Sequence, residues 1–474
     1  MRCISATLLL GVWGMAGCAP VRRYHPVPIS PAATAASLQA RSVLAPPVRQ
    51  FIQENVGHDV NPWPPRAWNL RMLTLAAFYF SPVLAEARAE ISAAQAGIVT
   101  AGARPNPTFS LQPGMPSPYL FALSFLVPIE TAGKRRIRVE QAKDIAREAR
   151  LTLAEAAWQV RSGVRKELVR YFLATRQLRL LRLQQRLEVL HAALLEQRLA
   201  AGEISRPRVD NARLLLLNAR VAVEAAEGRV PEARAALAAA VGVPVAGLGG
   251  IKLAWPGFDD PPGTKLISRQ LIQSDAVLNR LDVRGALAAY AASEAALQLE
   301  IAKQYPNFHI GPGYQFEETH NYFTLGYSVT LPIFNRNQGP IAEAEARRKE
   351  AAEAFLATQA RAIADGEESL ARYRASMRVL DGTEKALGQL ERVVIPKERR
   401  VVAIGQADRL ALNAVLLERP ALGQAWLAAL GRAQSALGAL EDAVERPLES
   451  GDISAAAPQS PELKSSHPRE DANR

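Results

Sequence analysis

The chain is poor in the residues from which most catalytic and ligand sites are built. Its 474 residues include two cysteines and six histidines, and His25, His58, His191, His309, His320 and His467 are far apart in sequence. No HExxH, no CxxC and no phosphate-cradling glycine loop occurs, so zinc hydrolysis, dithiol redox chemistry and nucleotide binding all lack a local signature. The expectation is a protein that is not an enzyme, with no cofactor and no metal site. Aromatic residues are scarce too, at 6%, although 49% of the chain is hydrophobic. Alanine and leucine make up the difference, which suits long helices better than a mixed globular enzyme.

Long apolar runs are missing as well. No stretch reaches the 18 or more consecutive apolar residues of a spanning helix, so any membrane crossing has to be made by strands. Charge is not segregated either: the net charge is +11, but 57 Lys and Arg are interspersed with 46 Asp and Glu along helical runs, the pattern of a solvated helix face. With no concentrated basic stripe and no reading motif, nucleic acid is not an expected partner.

One cysteine stands where a thiol has a use. Met1-Arg2 precede an apolar segment at residues 8–12, followed by Met15-Ala16-Gly17-Cys18, which reads as a signal peptide over residues 1–17 ending in small residues. The run resembles a bacterial lipobox, with Met15 where leucine is more usual, and implies cleavage before Cys18 and acylation of that cysteine. Ala19 in the next position fits sorting to the outer membrane in lipoproteins of this kind. Cys3 would leave with the signal, so no intramolecular disulfide is expected. Residues 18–68 are proline-rich and patternless (HPVPISP, APPV, NPWPP) and read as an extended tether.

The most informative run covers residues 322–348, YFTLGYSVTLPIFNRNQGPIAEAEARR. Phe323, Leu325, Tyr327, Val329 and Leu331 alternate with Thr324, Gly326, Ser328 and Thr330, the period of a strand with one apolar face. Pro332 ends the ladder, and a polar turn at 335–340 leads into strong helix formers. About 200 residues earlier the same order recurs: Tyr119, Phe121, Leu123, Phe125 and Val127 alternate, then come Pro128-Ile129-Glu130, a basic turn around Gly133 and a helix. Setting Pro128 on Pro332 also sets Ile129 on Ile333, Ile137 on Ile341 and Ala142 on Ala346. The chain is a tandem duplication.

In the first repeat, residues 69–243, the pattern predicts an alanine-rich helix over 70–100 with Asn69 or Ser81 as cap, strands over about 107–127 and an unbroken helix over 132–201. Leu180, Leu183, Leu187, Leu190 and Leu194 follow the 3-4 spacing of a coiled-coil seam. Gly202, Glu203, Ile204 and Ser205 then form a hairpin tip before a returning helix. The second repeat, residues 269–446, has strands over about 306–331, with His309 on a polar face. Its long helix carries a seam at Leu387, Leu390 and Val394 and a kink at Pro396, and its second tip is Gly405, Gln406, Ala407 and Asp408. Residues 244–268 read as a Gly/Pro linker and 447–474 as a disordered tail.

Strands of about 8–11 residues suit a tilted membrane strand. Four of them cannot close a barrel, and an open edge in lipid leaves backbone groups unpaired. A strand, Pro-Ile-Phe or Pro-Ile-Glu, a turn and a long helix, present twice, resemble the TolC-type outer-membrane factors. "NRNQGPIAEAEA" and "ETAGKRRIRVEQA" look most like the CzcC-like branch serving heavy-metal efflux. The resemblance implies a mainly α fold with a β-barrel part: tandem helical hairpins in the periplasm and four strands per chain in a trimeric, 12-stranded transmembrane barrel. It implies a passive exit duct in the outer membrane, working with a periplasmic adaptor and an inner-membrane RND-type pump, with the tips facing the adaptor. Gly202 followed by Asn211-Ala212-Arg213 matches the family's tip pattern. The acidic ring of many members is not matched, since Arg208, Ala411 and Ala414 stand there, and Leu199 and Val402 replace a frequent tyrosine. Two other readings stay open: the same duct serving organic toxicants or type I protein secretion, and a periplasmic coiled-coil adaptor or scaffold.

Overall fold

The computed structural model describes residues 24–115 and 120–448. The expected signal peptide, Cys18, part of the first hairpin turn and most of the expected tail lie outside the described residues. Two compact units are distinguished, Met1–Arg41 and Ser42–Arg474. In the first, α1 (Pro31–Gln39) starts at Ser30, whose hydroxyl accepts from the Ala33 amide at 3.4 Å, and it buries none of its residues. Everything below belongs to the second unit.

Its elements in order are α2 (Pro46–Val56), α3 (Leu70–Phe80), α4 (Pro82–Gly102), β1 (Thr108–Gly114), β2 (Leu120–Ile129), α5 (Lys134–Ala200) and α6 (Arg206–Val241). The second repeat follows with α7 (Arg269–Leu278), α8 (Leu281–Ala302), β3 (Phe308–Glu317), β4 (His320–Val329), α9 (Gln338–Gln389), a wide turn at Leu390–Val394, α10 (Ile395–Ala403) and α11 (Arg409–Val444). Among the described residues no single helix is long and apolar enough to cross a membrane.

The duplication is visible in the backbone. Gly133 and Asn337, brought together by the Pro128-on-Pro332 alignment, are both left-handed, at φ 68° and 64°, just before the long helices. The returning helices α6 and α11 have 36 residues each, and each ends on a left-handed residue, Gly242 or Glu445. Pro396 has no N–H to give the carbonyl four residues back, and the turn immediately before it is the wide one at Leu390–Val394.

The four strands make one antiparallel sheet in the order β1-β2-β3-β4. Its register puts Phe109 opposite Phe125, Phe121 opposite Phe316, Leu123 opposite Tyr314, Ile310 opposite Tyr327 and Tyr314 opposite Phe323. The alternating aromatic and aliphatic positions of the four strands therefore share one face, and Ser110, Ser124, His309, Gly313, Thr324 and Ser328 share the other with Leu120, Ala122 and Leu126 of β2. Gly311 leaves no room for a side chain between β2 and β3, since an added Cβ would overlap the Phe125 carbonyl.

Five expectations need correction. The helix expected over 70–100 is two helices bent by 56°, because Asn69 caps α3, Ser81 caps α4 and Pro82 opens the second. Residues 18–68 are not simply extended: Pro46 and Pro47 sit in the first turn of α2, where proline is tolerated, and Val48, Phe51 and Ile52 bury one face. The linker is a packed strap. Trp68 donates to the Lys252 carbonyl at 2.8 Å and accepts from Ala254 at 2.9 Å, while Leu248, Trp255, Phe258 and Ile267 enter the core. Burying a large apolar side chain is worth roughly 1.5–3 kcal/mol, too much for a free linker. Leu448, within the expected tail, is also buried, and its amide donates to Glu441 at 2.8 Å.

The fifth correction concerns the leucine seam. The deepest residues of α5 near the tip are Leu181, Glu188, Ala192 and Leu195, while Leu190 is exposed. The helix packs on two sides. Leu173 and Leu180 lie against Gly431 and Gly423 of α11, where a Cβ would come to 2.9 Å. Leu181 and Leu195 instead join clusters with Val223 and Ala226, and with Val209 and Ala212, of α6. On α6 the buried positions 209, 212, 219, 223, 226, 233 and 237 keep a 3-4 rhythm in which Ala recurs, allowing close helix approach.

Glu445 ties the end of α11 to the start of α8. It holds a left-handed conformation without being glycine, and its Oε2 accepts from the Leu281 amide at 2.5 Å. Burial pushes its pKa up to about 7; the Leu281 hydrogen bond opposes this, and nearby Asp282 and Glu155 reinforce it. A carboxyl raised in the folded state contributes stability that is complete below its unfolded value near 4.5 and is lost as pH rises through about 7. Glu445→Gln keeps an acceptor for Leu281 and carries no charge. It should stabilise the chain at pH 8 by up to about 3 kcal/mol, seen as a raised thermal midpoint in circular dichroism melts, and leave the midpoint little changed at pH 4.5.

Candidate functional site: the paired hairpin tips

Both tips are built the same way. At the end of α5 the Gly202 amide donates to the Leu199 carbonyl at 3.0 Å and the Glu203 amide to Arg198 at 2.9 Å. After α10 the Gly405 amide donates to Val402 at 3.1 Å and the Gln406 amide to Val401 at 3.0 Å. This crossed pair of bonds satisfies the last helical carbonyls and needs a left-handed residue in its middle. Gly202 and Gly405 supply it at φ 73° and 74°. Each turn then needs only three more residues before the next helix starts.

The two turns differ in how they launch that helix. Ser205 makes no side-chain bond to α6, and Pro207 fills the first turn instead. Asp408 caps α11, its Oδ1 accepting from the Ala411 amide at 2.7 Å. Its other oxygen pairs with Arg198 of the first hairpin, whose Nε also lies 3.7 Å from Glu203. The structure thus brings the two sets of tip residues side by side, with one guanidinium between the carboxylates of both turns. Ile204 and Leu410 close the apolar cluster of Ala192, Leu195, Val209 and Ala212 beneath. Gly202, Glu203, Ser205, Gly405 and Gln406 stay exposed, and Ile204 and Ala407 are half-buried.

Above the tips, polar contacts continue along the pair. Asn413 of α11 donates to the Leu187 carbonyl at 3.2 Å, and Gln424 donates to Gln184 at 2.9 Å. Within hairpins, Arg213 pairs with Glu196 and Arg419 with Glu391, each at 2.7 Å. At the other end of α5, Lys134 is buried against the base of the sheet, donating to Asn307 and the Tyr305 carbonyl, both at 2.5 Å. Burial lowers its pKa. His309 lies far from the tips in sequence and sits in β3 opposite Pro128 and Ser328. Among the described residues no three His, Cys, Asp or Glu gather as a metal-binding group.

Sequence reasoning missed Arg198, Glu188 and the inward turn of Asn413. A basic residue in the last turn of a helix reads as a favourable dipole contact, so Arg198 gave no sign of a partner 210 residues on. Asn413 had a local sign: Asn413, Gln434 and Glu441 of α11 are spaced in multiples of seven and all are buried.

Residues 79–243 match the outer membrane efflux protein family. The cobalt-zinc-cadmium resistance protein CzcC of Cupriavidus metallidurans is 26% identical over 318 residues, 64% of this chain and 74% of that protein. Among solved structures, the channel-forming CusC superposes with a TM-score of 0.61 at 18% identity, covering 82% of this chain and 95% of CusC. The outer membrane protein VceC of Vibrio cholerae gives 0.62 at 20% identity, covering 80% and 97%. The fold is that of these outer-membrane proteins, helical hairpins and four strands together.

Asp408 offers a way to separate capping from pairing. Asn is as good a helix cap as Asp, so Asp408→Asn should cost only the value of a partly exposed ion pair, about 0–1 kcal/mol. Asp408→Ala should cost about 1 kcal/mol more. Urea unfolding of both, and of Arg198→Ala, measures the difference.

Proposed function

Because residues 79–243 carry the outer membrane efflux protein domain, we propose that this chain is the outer-membrane channel of a tripartite efflux system, a passive duct for heavy-metal cations. The observation that carries the reading is the sheet. A single apolar face runs unbroken across four strands, with Phe323 86% and Leu325 74% exposed. Water penalises such a face, and lipid favours it. Strands β1 and β4 are open edges, which lipid does not tolerate. Three copies supply twelve strands and close them.

The remaining roles follow from this placement. The helical hairpins extend into the periplasm, and the tips at Gly202–Ser205 and Gly405–Asp408 dock a periplasmic adaptor that links the duct to an inner-membrane RND-type pump. Cys18 carries the lipid anchor. Energy comes from the pump, since a channel needs no chemistry of its own. The metal cargo is supported by the likeness to a cobalt-zinc-cadmium resistance protein.

Opening requires the hairpins to shift at the tips, and the Arg198–Asp408 pair ties the two hairpins of one chain there. Removing the tie favours the open arrangement. In planar bilayers, Arg198→Ala and Asp408→Asn should both raise the open fraction above wild type. An unchanged open fraction in both variants would remove the pair from the gate.

A deletion strain, with and without the gene restored, tests the cargo by growth across zinc, cobalt, cadmium, nickel, copper and silver salts and a panel of dyes and detergents. Sensitivity confined to metal cations, and cured by the gene, is the expected result. Sensitivity to organic compounds alone would overturn the metal cargo while leaving the duct.

A further inference from the structure

Just inside the tips, polar atoms gather where a helix seam should be apolar. Glu188 lies in α5 midway between Leu181 and Leu195, seven residues from each, and is 7% exposed. Leu181 and Leu195 pack into apolar clusters with α6. Glu188 is the layer between them.

Its Oε2 has no hydrogen-bond partner among the described residues. The same holds for Nδ1 of His191, one turn further along α5, and for Oδ1 of Asn413 on α11. Asn413 is 1% exposed, and its Nδ2 donates to the carbonyl of Leu187, the residue before Glu188. Residues three apart on a helix have Cβ atoms about 5–6 Å apart on one face, so Glu188 and His191 are neighbours. Asn413 reaches the same turn of α5 from the second repeat, through the Leu187 carbonyl.

All three atoms offer lone pairs: a carboxylate oxygen, an imidazole nitrogen and an amide oxygen. With the imidazole proton on Nε2, Nδ1 is an acceptor like the two oxygens; acceptors cannot satisfy one another, and burying them unpaired costs about 1–3 kcal/mol each. A cation satisfies all three at once. Glu-x-x-His on one helix is also the spacing with which helical bundles hold first-row metals in their cores, and imidazole with carboxylate oxygen is a donor set for zinc-class ions.

We propose that Glu188 Oε2, His191 Nδ1 and Asn413 Oδ1 form a binding site for a divalent transition-metal ion, with a fourth position left for water. The third donor is an amide, so the site needs only one carboxylate and one imidazole. His191 then keeps its ring proton on Nε2. The ion joins α5 of the first repeat to α11 of the second, the same two helices that carry the tips. This site lies in the protein wall and does not depend on what the duct conducts.

The test uses the full-length protein in detergent, freed of metal with a chelator and titrated with Co²⁺. Wild type should show saturable visible ligand-field absorption with one Co²⁺ per chain, displaced by Zn²⁺, and a higher thermal midpoint with metal. His191→Ala and Glu188→Gln should each weaken Co²⁺ binding at least tenfold. Glu188→Gln should also stabilise the metal-free protein, because it removes a buried charge. Asn413→Asp, which exchanges the amide for a carboxylate, should tighten binding and gives a readout of opposite sign should the other variants fold poorly. No saturable absorption in wild type, or equal binding by wild type, Glu188→Gln and His191→Ala, would overturn the site and assign these atoms to buried water.

Discussion

A buried ion pair sets the register on which the rest of the second unit depends. Arg165 of α5 and Glu441 of α11 lie 3.2 Å apart with side chains 4% and 0% exposed, and Arg161 reaches the same carboxylate at 3.1 Å. Gln434, seven residues before Glu441, accepts from Arg165 through its backbone and side-chain oxygens at 2.8 and 3.0 Å. It also donates to the Phe258 carbonyl of the strap at 2.7 Å. A seam of alanine and leucine repeats itself, so sliding by a heptad changes its apolar contacts little. The same slip would leave the buried charges without partners, at about 3–5 kcal/mol. The polar node therefore decides where α11 stops along α5, even though such a pair adds little to net stability. One heptad of slip moves a helix by about 10 Å, enough to part Arg198 from Asp408 at the far end.

The two repeats share a backbone plan and divide the polar work unequally. Gly242 ends α6 at φ 84°, a conformation that costs glycine nothing. Glu445 takes that place in the second repeat and uses its side chain to hold the start of α8. Ser205 leaves α6 uncapped by any side chain, whereas Asp408 caps α11 and crosses to the other hairpin. Asn413, Gln434 and Glu441 all sit on α11 and all face α5. The duplicated hairpins are equivalent in backbone, and polar pairs with one member in each repeat join them.

How much of this was legible in the sequence depended on whether the cause was local. Strand alternation is local, so Phe323, Leu325 and Tyr327 could be placed on one face before any pairing was known. The glycines of the tips are local too, because a left-handed turn leaves its mark on a single residue. The leucine stripe misled because α5 packs on two sides: Leu180 faces α11, and the seam toward α6 runs through Glu188, which no search for apolar spacing would choose. Prolines misled at residues 46 and 47, where they open a helix rather than break one. The strap looked like a linker because Trp255 and Phe258 are far apart in sequence from the helices that cover them.

A chain with this surface is unfinished in water. Its sheet offers lipid one face and leaves two edges unpaired, while α6 turns Leu214, Leu217 and Val221 outward at 60%, 52% and 64% exposure, a row with the 3-4 spacing of a packing face. The β1 edge and the row both belong to the first repeat, while the β4 edge belongs to the second. Bacterial barrels of one chain have an even number of strands, from eight upward. Four strands per copy meet that count at two, three or more copies, and eight strands fill their own lumen with side chains. In the three-copy closure proposed for the duct, the polar sheet face carrying His309, Gly313 and Thr324 becomes its lining.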